Sequence, residues 1–248
     1  MPYYVYLKWA SPTNTARADY GRHVLVCESR QAADEFFRGL QGLKDVLGNL
    51  RFTLLKRSSA QFWCYDTAEG DPWWLPLRVL RENAVPESNF KIFSVPLIDG
   101  AGASRPWPVV ESVDGPDWTN GGAFFIRNKR QPDLYWSVSY AAQDVAIVVS
   151  ETRRSKFRIW GSDIDHKDLD KVLIRSDRVT ISPVSSEKSA RVLYVHPSKA
   201  ETNVVVLSGD KKEWRFGDLF SAFGTTWDDN ETELVTYNEA EGEEWELC

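Results

Sequence analysis

Three stretches decide how this chain is read: Ala123-Phe124-Phe125-Ile126-Arg127-Asn128, Lys171-Val172-Leu173-Ile174-Arg175-Ser176 and Glu213-Trp214-Arg215-Phe216-Gly217-Asp218. Their starts are 48 and 42 residues apart. Each reads as a short apolar strand followed by three more strand candidates. The first set is Ala123–Asn128, Leu134–Tyr140, Val145–Ser150 and Ser155–Trp160. The second is Lys171–Ser176, Arg178–Pro183, Arg191–His196 and Asn203–Ser208, and the third Glu213–Gly217, Leu219–Phe223, Glu233–Asn238 and Glu244–Leu247. Turn formers separate most of them, as at Gln131-Pro132-Asp133, Gly161-Ser162-Asp163 and Gly209-Asp210.

Twelve short strands in three similar sets close on themselves to remove their edges. The expected architecture over residues 123–248 is therefore a β-trefoil of three four-stranded units. A sandwich is the rival, but it predicts no threefold recurrence.

Upstream the pattern changes. Tyr3–Trp9 and His23–Cys27 read as strands. Ser29 is placed as N-cap of a helix over Arg30–Leu43, whose Ala33, Phe36, Phe37, Leu40 and Leu43 form one stripe. Strands follow at Phe52–Lys56 and Gln61–Asp66, a short helix near Trp73–Arg81, and a strand at Phe90–Val95. Residues 1–100 thus predict a small α+β domain. A Gly- and Pro-rich connection over 101–122 joins it to the trefoil, with Trp107 and Trp118 expected to pack on a domain surface.

Composition excludes several classes. The net charge is −6, which opposes general nucleic-acid binding. One local exception is Arg127-Asn128-Lys129-Arg130 with Arg153-Arg154-Ser155-Lys156, which makes a basic patch if the two segments adjoin. No apolar run approaches the length of a membrane helix, so no membrane insertion is expected. The start, Met1-Pro2-Tyr3-Tyr4-Val5-Tyr6, has no signal-peptide pattern, and the chain reads as cytoplasmic or as already processed. Cys27, Cys64 and Cys248 are too few and too scattered for a disulfide framework, and none forms a zinc-ligand pattern with His23, His166 or His196. No cofactor or metal is expected. The acidic run Asp163, Asp165, His166, Asp168, Asp170 lacks the Gly and terminal Glu of an EF-hand loop.

The unusual count is aromatic: 11 Trp, 9 Tyr and 12 Phe. Such residues fill β cores and also stack on sugars. Gly122-Ala123-Phe124-Phe125-Ile126-Arg127-Asn128-Lys129, then Leu134-Tyr135-Trp136 and Lys156-Phe157-Arg158-Ile159, resembles the opening of a ricin B-like lectin repeat. Glu244-Trp245-Glu246-Leu247 is similar to the end of such a repeat, although the family's Gln is absent. The fungal β-trefoil cysteine-protease inhibitors share the skeleton. The first resemblance implies carbohydrate binding and the second protein binding.

In that family a sugar site combines an Asp after the first strand, a stacking aromatic, and an Asn or Gln near the unit's end. The candidates here are Asp133 with Tyr135 and Trp136, and Trp227-Asp228-Asp229-Asn230 with Tyr237 and Asn238. Tyr135 and Trp136 point to opposite faces of a strand, so at most one can join Asp133. No nucleophile elbow, phosphate-binding Gly loop or zinc-protease motif is present. The sequence therefore favours a non-catalytic carbohydrate-binding module whose partner is a glycan. A protein-binding trefoil, such as a protease inhibitor, is the alternative.

Overall fold

The protein is described from a computed structural model, which covers residues 2–10, 21–97, 115–139, 145–185, 192–229, 231–239 and 241–248. It divides into two compact units, Met1–Asp117 and Trp118–Cys248. The division falls within the stretch read as a connection, and Trp107 lies outside the described residues. The fold is mainly β. No helix of the described residues is long and apolar enough to cross a membrane.

Unit 1 is a five-stranded sheet with helices. Its strands are β1 (Tyr3–Trp9), β2 (Arg22–Cys27), β3 (Leu54–Ser59), β4 (Phe62–Asp66) and β5 (Ile92–Pro96). They are ordered β3-β4-β1-β2-β5, with β1 and β4 parallel and the other pairs antiparallel. Helix α1 (Arg30–Gly42) starts where expected, because the Ser29 hydroxyl accepts from the Ala32 amide at 3.2 Å. Its apolar stripe buries Ala33, Phe36, Phe37 and Leu40. Phe37 meets Trp63 of β4 edge-on at 4.9 Å. Gly39 allows a close approach, since a Cβ there would lie 2.4 Å from a Val85 methyl. Helix α2 (Leu75–Arg81) carries Pro76 in its first turn, where the missing N–H costs nothing.

One helix position breaks the apolar pattern. Asp34 is buried on the inner stripe of α1. Arg57 of β3 donates to it at 2.6 Å and reaches Asp117 through Nε at 2.8 Å. Arg30 lies 3.7 Å from the second Asp34 oxygen and donates to the Pro116 carbonyl at 2.6 Å. Two guanidiniums and two carboxylates thus hold the segment 115–117 to the sheet of unit 1. Cys27 is buried, and that burial together with Asp34 pushes its thiol up to about 12, so it stays protonated at neutral pH.

A second charge cluster is more exposed. Arg51 grips Glu69 through two nitrogens at 2.7 and 3.1 Å and Glu82 at 2.7 Å, while Arg78 reaches Glu69 at 3.0 Å. The hydrogen bond from Arg51 holds the Glu69 carboxyl below its ordinary value. A depressed folded value means that this stabilisation is present above the unfolded carboxylate range and is lost as pH falls through the folded value. Acid titration of unit 1 stability is expected to be shallower in Glu69→Gln than in the native chain below about pH 4. At neutral pH that substitution costs about 1 kcal/mol or less, as urea unfolding would show.

Unit 2 is a continuous system of eleven strands: β6 (Ala123–Asn128), β7 (Tyr135–Ser139), β8 (Ala146–Ser150), β9 (Lys156–Gly161), β10 (Arg178–Pro183), β11 (Tyr194–Pro197), β12 (Val205–Ser208), β13 (Trp214–Arg215), β14 (Phe223–Trp227), β15 (Glu233–Tyr237) and β16 (Trp245–Leu247). Three hairpins stand out: β7–β8, β11–β12 and β14–β15. They meet one another through Ala146 opposite Val206, Val148 opposite Leu234 and Val204 opposite Thr236. Val148, Val204 and Leu234 form a small buried cluster at that junction, one residue from or beside each hairpin. The remaining strands pair β16-β6-β9-β10-β13 around the main core.

Alternate residues fill that core, including Phe124 and Ile126 of β6, Phe157 and Ile159 of β9, and Val179 and Ile181 of β10. Trp136 sits at its aromatic centre, with Phe223 at 5.0 Å and Phe157 and Trp245 each at 5.8 Å. Trp118 is also buried here, stacked on Phe220 at 4.8 Å.

The echo read from the sequence is partly corrected. Lys171–Ser176 is not a strand; Val172 makes a single bridge to Thr119. Glu213–Asp218 keeps only Trp214–Arg215 extended, and Phe216–Phe220 is a 3-10 turn. Leu219–Phe223 is likewise no strand, and β14 begins where that prediction ends. The cause is local. Asp177 accepts from the Ile174 amide at 2.8 Å, and Asp218 accepts from the Arg215 amide at 3.1 Å. A side-chain acceptor three residues on draws each backbone into a turn. These two blocks also lie side by side, with the Phe216 amide donating to the Asp177 carbonyl at 2.8 Å and Gly217 to Arg175 at 3.0 Å.

A different burial pattern recurs along the chain. Phe157-Arg158-Ile159, Trp214-Arg215-Phe216 and Trp245-Glu246-Leu247 each bury an aromatic and an apolar residue around an outward charge. They stand 57 and 31 residues apart, too unequal to show as a period.

Candidate functional site

The site of interest is a cleft in unit 2 of about 670 Å³, lined by Arg178, Lys211, Lys212, Glu213, Trp214, Arg215, Asp218, Tyr237 and Glu239. The start of β10, the segment 211–213 leading into the short β13, β13 and its following turn, and the end of β15 with Glu239 just beyond it supply these residues. Arg178 and Arg215 oppose each other in register, which sets both guanidiniums on the outer side of the β10–β13 pair.

Tyr237 organises the cleft. Its ring packs on Trp214 at 4.7 Å and Phe223 at 5.2 Å. Its hydroxyl donates to Asp218 Oδ2 at 3.1 Å and lies 3.3 Å from Glu239 Oε1. Burial and then the Asp218 carboxylate hold the phenol far above its ordinary value, so it remains a donor at all working pH. Asp218 is fixed twice, by that hydroxyl and by the Arg215 amide. Trp214 is a buried wall rather than an open platform, and its indole N–H donates to the Val195 carbonyl at 3.1 Å. The Lys212 ammonium stands 5.5 Å from the Trp214 ring, and Lys211 5.8 Å from Tyr194. Four cations, three carboxylates and one phenol therefore line one concave surface. Such a surface offers both donors and acceptors to a hydroxyl-rich ligand.

The candidates read from the sequence separate. Trp136 is fully buried in the core and is withdrawn as a ligand contact. Tyr135 is half-buried, its ring meeting Phe125 edge-on at 6.3 Å with Arg154 at 5.7 Å, while Asp133 is exposed in the preceding turn. Trp227 is 66% exposed at the end of β14 and pairs with Glu233, whereas Tyr237 pairs with Phe223 at the other end of the same hairpin. Four strand steps, about 13 Å, lie between them. Trp227 and Tyr237 therefore belong to different surfaces. Asp228 closes the hairpin turn by accepting from the Thr232 amide at 2.7 Å. Asn238 is exposed beside Tyr237, and Asn230 lies outside the described residues.

Sequence reading placed Tyr237 but missed Asp218, Glu239, Arg178 and Arg215. Their signal was present only as ordinary surface charge. Among the described residues, no three His, Cys, Asp or Glu side chains gather as metal ligands. The acidic run Asp163–Asp170 instead wraps Asn120, whose amide donates to the Asp165 and Asp168 carbonyls at 3.1 and 3.2 Å.

No protein-family model matches the chain, and no curated protein sequence matches it. Among solved structures it is similar to winged bean albumin 1, at 13% identity and a TM-score of 0.41, over 54% of this chain and 95% of that one. It is also similar to the lysenin pore, at 10% identity and a TM-score of 0.32, over 63% of this chain and 59% of that one. Neither value assigns a ligand.

Proposed function

We propose that unit 2 is a β-trefoil of three degenerate units and that the protein is a non-catalytic binding protein taking a glycan in the Tyr237 cleft. The trefoil reading draws on the three hairpins that meet at Val148, Val204 and Leu234, and on the three aromatic-x-apolar segments beneath them. The functional reading rests on one observation: a phenol held between two carboxylates on the wall of a cation-rimmed cleft. Asp218 and Glu239 accept from sugar hydroxyls, and Arg178, Arg215 and the two lysines donate to them. The sequence motifs and the cleft supply no nucleophile–base pair, which is why binding rather than chemistry is proposed.

A glycan array probed with the full chain tests this. Arg178→Ala/Glu239→Ala removes two exposed cleft side chains and is expected to lower the signal on every bound glycan at least tenfold, with the thermal melt unchanged. An undiminished signal would move the site elsewhere.

A protein-binding role is the second reading, favoured by the exposed Trp227 at a hairpin end. Inhibition of papain or trypsin that Trp227→Ala abolishes would establish it in place of the first.

A further inference from the structure

The two basic segments read from the sequence do adjoin. β6 and β9 pair with Phe125 opposite Lys156 and Ala123 opposite Arg158. Strand alternation sends Phe157 and Ile159 into the core and Lys156 and Arg158 outward. The Arg154 guanidinium lies 4.8 Å from the Phe125 ring centre and 5.7 Å from that of Tyr135, and the Lys156 ammonium 5.1 Å from Phe125. Two aromatic rings thus hold two cations in fixed positions, so less side-chain freedom is lost when an anion arrives.

The local charge is not cancelled. Arg127 is bonded to Glu246, and Lys129 and Arg130 lie near Glu244. Arg153, Arg154, Lys156 and Arg158 have no carboxylate partner among the described residues, and all four are exposed. Glu151, exposed two residues before Arg153, forms no ion pair with them. Lys156 and Arg158 on the outer face of β9, with Arg154 beside Lys156 over the Phe125 ring, are unneutralised cations in a chain of net charge −6. Screening over about 8 Å at physiological salt lets such a patch act independently of the distant negative charge.

We infer that this face binds a sulfated polysaccharide. Lys156 and Arg158 stand about 7 Å apart along the strand, and β6 runs about 4.8 Å beside it. A flat row of point cations suits a chain that carries closely spaced anions and needs no groove. Nucleic acid fits less well. Single-strand binding relies on open aromatic faces for the bases, and here the Phe125 ring is taken up by Arg154 and Lys156. This inference does not depend on the Tyr237 cleft, which shares none of these residues.

The test is titration of the full chain with a heparin-derived oligosaccharide at two salt concentrations, beside Arg154→Gln/Lys156→Gln/Arg158→Gln. Binding by the native chain should weaken with salt, and the triple variant should lose at least tenfold in affinity while keeping its thermal melt. Desulfated heparin should not bind. Lys211→Gln/Lys212→Gln, in the cleft, should leave heparin affinity within twofold. Equal binding by the triple variant, retained binding of desulfated heparin, or tighter binding of a single-stranded oligonucleotide of equal charge would each overturn the assignment.

Discussion

Replacing Asp34 with alanine is expected to lower the stability of unit 1 by about 3–5 kcal/mol. The carboxylate is buried against Arg57 at 2.6 Å, and its removal leaves that guanidinium with Asp117 and takes the Asp34 charge from beside Arg30. An uncompensated buried charge costs far more than the pair contributes when intact. Native-state hydrogen exchange at the amides of β1, β2 and α1 measures the loss within unit 1. Arg57→Met makes the complementary test. Burial pushes the Asp34 carboxyl upward against the pull of Arg57 and Arg30. Without Arg57 the folded form holds a proton that the unfolded chain releases in the ordinary carboxylate range. Relative to the native chain, stability of Arg57→Met is then greatest at acid pH and falls as pH rises towards neutrality. The double variant is expected to lose less than the sum of the singles, because each removes the charge the other strands.

The second large effect is at Trp136. Its indole meets Phe157, Phe223 and Trp245, and so joins β7 to β9, β14 and β16. Trp136→Ala is expected to cost unit 2 about 3–5 kcal/mol in denaturant unfolding. Three of the core indoles, those of Trp136, Trp214 and Trp245, differ in one informative way. Trp214 and Trp245 donate to the Val195 and Phe223 carbonyls at 3.1 and 2.7 Å. The Trp136 indole N–H makes no hydrogen bond among the described residues. Phenylalanine at 214 strands the buried Val195 carbonyl, at 245 it leaves the Phe223 carbonyl with the Glu243 amide at 2.7 Å, and at 136 it removes a donor that was already unsatisfied. Trp136→Phe should therefore be milder than Trp214→Phe by about 1 kcal/mol, with Trp245→Phe between the two. If all three cost the same, hydrogen bonding does not distinguish these indoles.

Much of the fold was legible in the chain. The stripe from Ala33 to Leu40 and the Ser29 cap located α1, and alternation located β1, β4, β6 and β9. Each of these signals is local, and the tertiary structure leaves it undisturbed. The echo failed where a local device outweighed alternation. Ile174-Arg175-Ser176-Asp177 and Arg215-Phe216-Gly217-Asp218 look apolar enough for strands, but their aspartates bind the backbone three residues earlier. The recurrence at Phe157, Trp214 and Trp245 was hidden by loops of unequal length. Asp34 was hidden differently, because its partners Arg57 and Asp117 are distant in sequence and nothing in α1 marks it as buried.

The cleft was less legible than the fold. Tyr237 was picked for its residue type beside Asn238, but the grouping with Trp227 joined two ends of one hairpin. Asp218 stands 19 residues before Tyr237, at the junction between the two stretches read from the sequence as strands, Glu213–Gly217 and Leu219–Phe223. A charged site assembled from β10, β13 and β15 leaves no motif in the linear chain. The basic face left more, because both segments are dense in Arg and Lys and one strand pairing suffices to unite them.

The decisive measurement is a calorimetric titration of an array-selected, non-sulfated glycan into the full chain and into Tyr237→Phe. That substitution keeps the ring on Trp214 and Phe223 and removes only the hydroxyl between Asp218 and Glu239. Saturable binding by the native chain, weakened about tenfold or more in the variant, is the predicted result. A correctly folded native chain that selects no glycan, or a variant that binds as tightly as the native chain, would contradict it.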